Sequence, residues 1–198
     1  MRKAAPLWLI ETFRVMATPG NYMSKLYHIP QLIYGFVPFY FANRLSKTYS
    51  IVKTFFEELR RDEGAELKVG AAGFCWGGKH AVLLAGDEVR VNNKPVMDVV
   101  FTGHPSLLSI PADIEQIELL VSFAVGDDDM ALSVDQCERI KAIVEAKPES
   151  QRGEVKIYPG CGHGFCVRAD ARLEEAAEPA NEAEDQCIAW FKKHFGTE

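Results

Sequence analysis

The residues best suited to chemistry stand in a short glycine-rich stretch, GFCWGGKH, which sets Cys75 between Gly73 and Gly77. A buried structural cysteine needs no glycines around it. A zinc-binding cysteine needs further ligands at short spacing. A cysteine that must stand exposed on a sharp turn needs small neighbours on both sides. Gly73-Phe74-Cys75-Trp76-Gly77 matches the nucleophile elbow G-x-S-x-G with cysteine in place of serine. Such a turn holds the nucleophile in strained backbone geometry and lifts its side chain above a sheet. Gly73 and Gly77 are then expected because a Cβ at either would clash, and Gly78 because it lets the next helix come close. The N-terminus of that helix lowers a thiol pKa, and the backbone N–H of Trp76 can face an oxyanion. On the motif alone, a buried cysteine in a tight turn stays open as the alternative.

An elbow of this kind is followed by a carboxylate and then a histidine, each just after a strand. The apolar run LLVSFAV leads into Gly126-Asp127-Asp128-Asp129, and EVKIY leads into Pro159-Gly160-Cys161-Gly162-His163-Gly164. His163 lies between glycines, unlike a core histidine, which would have apolar neighbours; an exposed loop histidine is the alternative. Of the three aspartates at least two are loop or helix-capping residues. CGHGFC also places Cys161, His163 and Cys166 together, but the spacing is tight and no second ligand cluster accompanies it.

These residues need elements to carry them. Ile51, Val52, Phe55, Phe56 and Leu59 recur at helical spacing, with Glu57, Glu58, Arg60 and Arg61 outside. A short strand is expected over 67–72, then a helix from GGKHAVLLAG, a strand near 99–102, and a third strand in LLVSFAVG. VDQCERIKAIVEA is amphipathic, with Val134, Cys137, Ile140 and Val144 on one side. GEVKIYPG is a fourth strand. NEAEDQCIAWFKKHF is a C-terminal helix burying Ala183, Cys187, Trp190 and Phe191, preceded by an acidic, solvated helix start. The alternation predicts an α/β fold with a mainly parallel sheet and flanking helices, in one domain over 1–198. Residues 1–50 are aromatic-rich, and their prolines and glycines are expected to break any long helix into short helices and loops.

Composition bounds the class. The 198 residues are 47% apolar and 25% charged, the balance of a globular chain with a real core. A net charge of -6 leaves nothing to neutralise phosphates, so no nucleic-acid partner is expected. No apolar run is long enough to span a bilayer, so no membrane partner is expected either. The start, MRKAAPLWLIETFR, imitates a signal peptide, but its apolar part is short, ends at Glu11 and lacks a small-residue cleavage site. Five cysteines, an odd number set mostly in apolar patterns, fit a reducing, cytoplasmic setting better than a disulfide framework.

GFCWGGKHAV, the GDDD after a strand, and YPGCGHGF together resemble the dienelactone hydrolase family, its fungal members most, over the chain from about Thr48 onward. The resemblance implies an α/β-hydrolase sheet and cleavage of small lactones or related carboxylic esters by acyl transfer. It implies Cys75 as nucleophile, His163 as base and Asp129 as the orienting acid, because the family places its acid three residues after the glycine. Trp76 would supply an oxyanion donor and Arg168 a contact for a substrate carboxylate. No metal or organic cofactor is implied. HPSLL, from His104, resembles a fungal loop segment, with a structural role for His104 at least as fitting. Family members carry more chain before the matching region: early strands, a second oxyanion donor, a glutamate and a further arginine. None of these matches residues 1–50, so early sheet strands are expected to be missing. One absent oxyanion donor costs about a hundredfold to a thousandfold in rate. A complete chain is expected to be a monomer, a shortened one an oligomer or aggregate. A non-catalytic relative serving as a binding or structural module is the other reading.

Overall fold

In the computed structural model of the chain the described residues are 22–169 and 172–196, together with Trp8, Thr12, Val15, Met16 and Gly20. The segment that imitates a signal peptide lies outside them, apart from Trp8 and Thr12. Two compact units divide the chain, Met1–Ile51 and Val52–Glu198.

The first unit is dominated by α1 (Tyr22–Ala42), which carries Pro30 and Pro38 inside it. This corrects the expectation of an irregular segment. Each proline removes one ladder bond and crowds one carbonyl, but the two stand eight residues apart and leave about two full turns between them. Proline therefore weakens this helix without ending it. The next helix, α2 (Leu45–Arg61), runs across the division between the units.

The second unit begins its sheet with β1 (Gly70–Phe74), the strand that leads into Cys75. Its partners are β4 (Val99–Gly103), β5 (Leu120–Gly126) and β6 (Glu154–Tyr158), all parallel, in the order β1-β4-β5-β6. The register pairs Gly70 with Val99, Val99 with Leu120, and Ser122 with Glu154. Every residue of β4 is buried, as a strand covered on both faces requires. Val99 and Phe101 join a core with Ala124, Tyr158, Ala183 and Trp190. The alternating residue Thr102 lies against Gly78 instead. Thus α7 (Glu174–Phe195) covers one face and α3 (Trp76–Ala85) the other. The elements α4 (Ala112–Glu115), α5 (Val134–Glu145) and α6 (Phe165–Arg168) complete the layers. A small hairpin, β2 (Arg90–Val91) with β3 (Lys94–Pro95), turns through Asn92 and Asn93 at φ 53° and 64°. Both values suit the tight primed turn that asparagine tolerates.

Several details depart from the sequence expectations: Cys187 and Phe191 are only partly buried, and Ile51 and Phe55 of α2 are exposed. Arg60 is not on the outside of α2 but 1% exposed. Its guanidinium bonds Asp98 Oδ2 at 2.5 Å and donates to the carbonyls of Gly64, Leu67 and Pro95. Asp98 also accepts from the Val69 N–H at 2.7 Å. These bonds occupy the backbone that a strand over 67–72 would have used, so β1 starts at Gly70 instead. The acidic segment expected as a helix start is helical, so the C-terminal helix runs from Glu174 and takes in Pro179. No described helix is long and apolar enough to cross a membrane.

Candidate active site

Cys75 occupies the single residue between β1 and α3 at φ 53°, ψ -121°, a conformation that L-residues adopt only under strain. Its N–H donates to the Gly103 carbonyl at 3.2 Å, and its carbonyl accepts from Gly78 and Ser106, each at 3.0 Å. The turn is therefore fixed on both sides. A Cβ at Gly73 would lie 2.6 Å from the Gly77 carbonyl oxygen, and one at Gly78 would lie 2.5 Å from Thr102 Oγ1 and 2.8 Å from Pro105 Cβ. Both glycines are sterically required. Gly77 is not: a Cβ there meets nothing within 4 Å. The expectation that Gly77 relieves a clash is corrected, because its Cα–H faces open space beside the elbow. The helix behind the elbow is anchored by Lys79, whose ammonium is buried against the Asp113 carboxylate of α4.

The next two strands of the sheet beyond β4, β5 and β6, deliver the other two groups. Asp129 follows β5 and is buried, with Oδ1 accepting from the Ala131 N–H at 2.7 Å. His163 follows β6. Its Nδ1 lies 2.9 and 3.0 Å from the two Asp129 oxygens, and its Nε2 lies 3.1 Å from Cys75 Sγ. The three side chains form one continuous line of contacts across three loops at the carboxyl ends of β1, β5 and β6. Asp127 and Asp128 stand outside that line. Ser106 Oγ lies 3.9 Å from Cys75 Sγ.

The electrostatics follow from this line. The hydrogen bond to His163 holds the Cys75 thiol below its ordinary range, against burial, with the Trp76 amide and Ser106 adding to the effect. The bond to Asp129, then that to Cys75, raises His163 to about 9. A thiolate facing an imidazolium is the form these shifts favour. Burial moves the other thiols the opposite way, to about 11 in Cys137 and Cys187 and about 12 in Cys166, with Cys161 also raised. All five cysteines are free. Cys161, His163 and Cys166 do not form a metal set, and no such cluster exists among the described residues.

Arg168 lies on the four-residue helix α6 and is solvent-exposed. It lines an open cleft of about 810 Å³ with Gly162, His163, Gly164, Phe165 and Arg172. It therefore shares a cavity with the histidine without touching the thiol. His104 follows β4 at φ 37° and is completely buried, its ring 5.2 Å from that of His163 at a near-perpendicular angle. Neither of its nitrogens has a hydrogen-bond partner among the described residues, and burial lowers its pKa to about 4. A neutral imidazole therefore forms part of the wall beside His163. The sequence singled out the HPSLL segment, but nothing in it revealed that Ser106 comes to the thiol.

The family model for the dienelactone hydrolase family matches residues 40–195. The chain belongs to the dienelactone hydrolase family. Among its relatives, Hydrolase tropI of Talaromyces stipitatus is 27% identical over 179 residues, covering 89% of this chain and 61% of that protein. Hydrolase pyvD of Aspergillus violaceofuscus is 24% identical over 149 residues, covering 75% and 56%. This dienelactone hydrolase family chain thus spans less than two thirds of the length of either relative. A Klebsiella pneumoniae protein assigned as a dienelactone hydrolase shares the fold with a TM-score of 0.60 and 21% identity, over 83% of this chain and 67% of that one.

Proposed function

We propose that this dienelactone hydrolase family chain cleaves the ester bonds of small lactones or related carboxylic esters through a Cys75–His163–Asp129 triad. The reading rests on one observation, the unbroken line from Asp129 through both nitrogens of His163 to a thiol held in a strained elbow. The thiolate attacks the substrate carbonyl and forms the C–S bond, and the oxyanion faces the Trp76 N–H. Collapse breaks the C–O bond, and the leaving oxygen takes the His163 proton. His163, now neutral, accepts a proton from water as that water attacks the thioester. Breaking the C–S bond then restores the thiolate and the imidazolium and releases the acid. Asp129 keeps the imidazole in one tautomer throughout. Arg168, on the cleft beside His163, suits a substrate bearing a carboxylate.

The test is turnover of an aryl ester and of an unsaturated lactone by the wild type and by Cys75→Ala. Hydrolysis lost by several orders of magnitude in the variant, with a covalent acyl adduct on Cys75 in the wild type, supports the reading. Equal rates overturn it in favour of another nucleophile, and no turnover by either protein favours a binding module.

A further inference from the structure

The acid loop and the histidine loop meet over a short front beside the triad. A Cβ at Gly126 would fall inside contact distance of the Cys161 carbonyl oxygen, so the two backbones are pressed together there. The Asp127 N–H donates to the Tyr158 carbonyl and the Asp128 N–H to the Cys161 carbonyl, both at 3.2 Å. The fourth contact is made by a side chain. Asp127 Oδ1 accepts the Gly160 N–H at 2.6 Å. Gly160 stands at φ 67°, three residues before His163, a conformation that glycine adopts readily.

We propose that Asp127 is a positioning residue for the triad, its carboxylate clamping the histidine loop to the acid loop. The inference rests on the functional reading above. Asp129 and His163 sit on different loops, and their bond needs those loops in one fixed register. The backbone contacts set the approach of the loops. The Asp127–Gly160 bond fixes the stretch between Tyr158 and His163, where two glycines, Gly160 and Gly162, leave the backbone most freedom. A charged acceptor on a backbone N–H is among the stronger hydrogen bonds. Loss of this one would let the imidazole drift from Cys75 and Asp129 together, and a displacement of about 1 Å costs up to about a hundredfold in rate.

The test compares Asp127→Ala and Asp127→Asn with the wild type. Asparagine keeps an acceptor oxygen at the same place and alanine does not. Asp127→Ala is expected to lower kcat between about tenfold and about a hundredfold with KM little changed. The pH midpoint for alkylation of Cys75 by iodoacetamide should rise, because the imidazole no longer steadies the thiolate. Asp127→Asn should recover most of kcat and return the midpoint towards the wild type. A residue needed only for loop stability would lower the melting temperature and leave that midpoint where it was. Wild-type kcat and midpoint in Asp127→Ala would overturn the proposal, and so would an asparagine variant as impaired as the alanine one. Full activity in Cys75→Ala would instead overturn the functional reading itself.

Discussion

His163 Nε2 lies 3.1 Å from Cys75 Sγ, although 88 residues separate the two in the chain. This contact is the largest cause of the lowered Cys75 pKa. It predicts that iodoacetamide or chloroacetamide labels Cys75 first among the five thiols, since the other four are raised by burial. Peptide mapping that found Cys137 or Cys187 labelled first would sink the assignment. The pH dependence has a definite sign. A lowered pKa leaves thiolate at a pH where a free thiol is protonated, so the labelling rate should reach its midpoint below 9.0, the ordinary thiol value. In His163→Ala the bond is gone while burial remains, and the midpoint should move upward.

Asp129 is the only one of the three consecutive aspartates whose carboxylate meets His163. Asp129→Asn keeps the shape but presents an amide that can hold the wrong imidazole tautomer. We expect kcat to fall on the order of a thousandfold or more, with KM little altered. Asp128 is solvent-exposed, and Asp128→Asn should stay near the wild-type rate. Steady-state kinetics on one ester separates the cases. Equal losses at both positions would point to loop stability rather than to the acid.

The four sheet strands and the turn at Cys75 are legible because both depend on local pattern, whereas the strand order is not. A fully buried strand such as β4 reads as an apolar run, and a strained turn between strand and helix reads as small residues around a nucleophile. The conformation of 22–42 was not legible, because proline punctuation marks where a helix is weakened and not where it ends. Arg60 was misplaced for a different reason. Its partner Asp98 lies 38 residues away, and burial of an arginine becomes tolerable only when such a partner and several carbonyls arrive together. The GDDD run offered three equivalent carboxylates. The resemblance singles out Asp129, and the relative placement of two loops gives Asp127 to Gly160 and Asp129 to His163.

Arg60 supplies a stability prediction. Removing one partner of a buried, hydrogen-bonded ion pair leaves the other uncompensated, here together with the carbonyls of Gly64, Leu67 and Pro95. Arg60→Ala should therefore lower the unfolding free energy by about 3 kcal/mol or more. Urea titration followed by circular dichroism checks it. A midpoint matching the wild type would mean that water replaces the guanidinium at little cost.

The glycines of the elbow divide by what surrounds them. At Gly78 a methyl group would meet Thr102 Oγ1 at 2.5 Å and the Pro105 side chain at 2.8 Å. Pro105 cannot move freely, since Ser106 next to it donates to the Cys75 carbonyl and His104 before it donates to the Ala124 carbonyl. Gly78→Ala must therefore push α3 away from β4 and disturb the turn that holds Cys75, at a cost of about 1–3 kcal/mol. At Gly77 a methyl group meets nothing within 4 Å, and alanine is the better helix former by about 1 kcal/mol. Gly77→Ala should thus match or exceed the wild type in thermal stability, while Gly78→Ala melts several degrees lower. The same pair of variants tests whether substrate enters the open space over Gly77. A rise in KM confined to Gly77→Ala would show that the acyl group uses that space. A Gly77→Ala protein that melts as low as Gly78→Ala would mean that the open side of the elbow is covered in the folded protein.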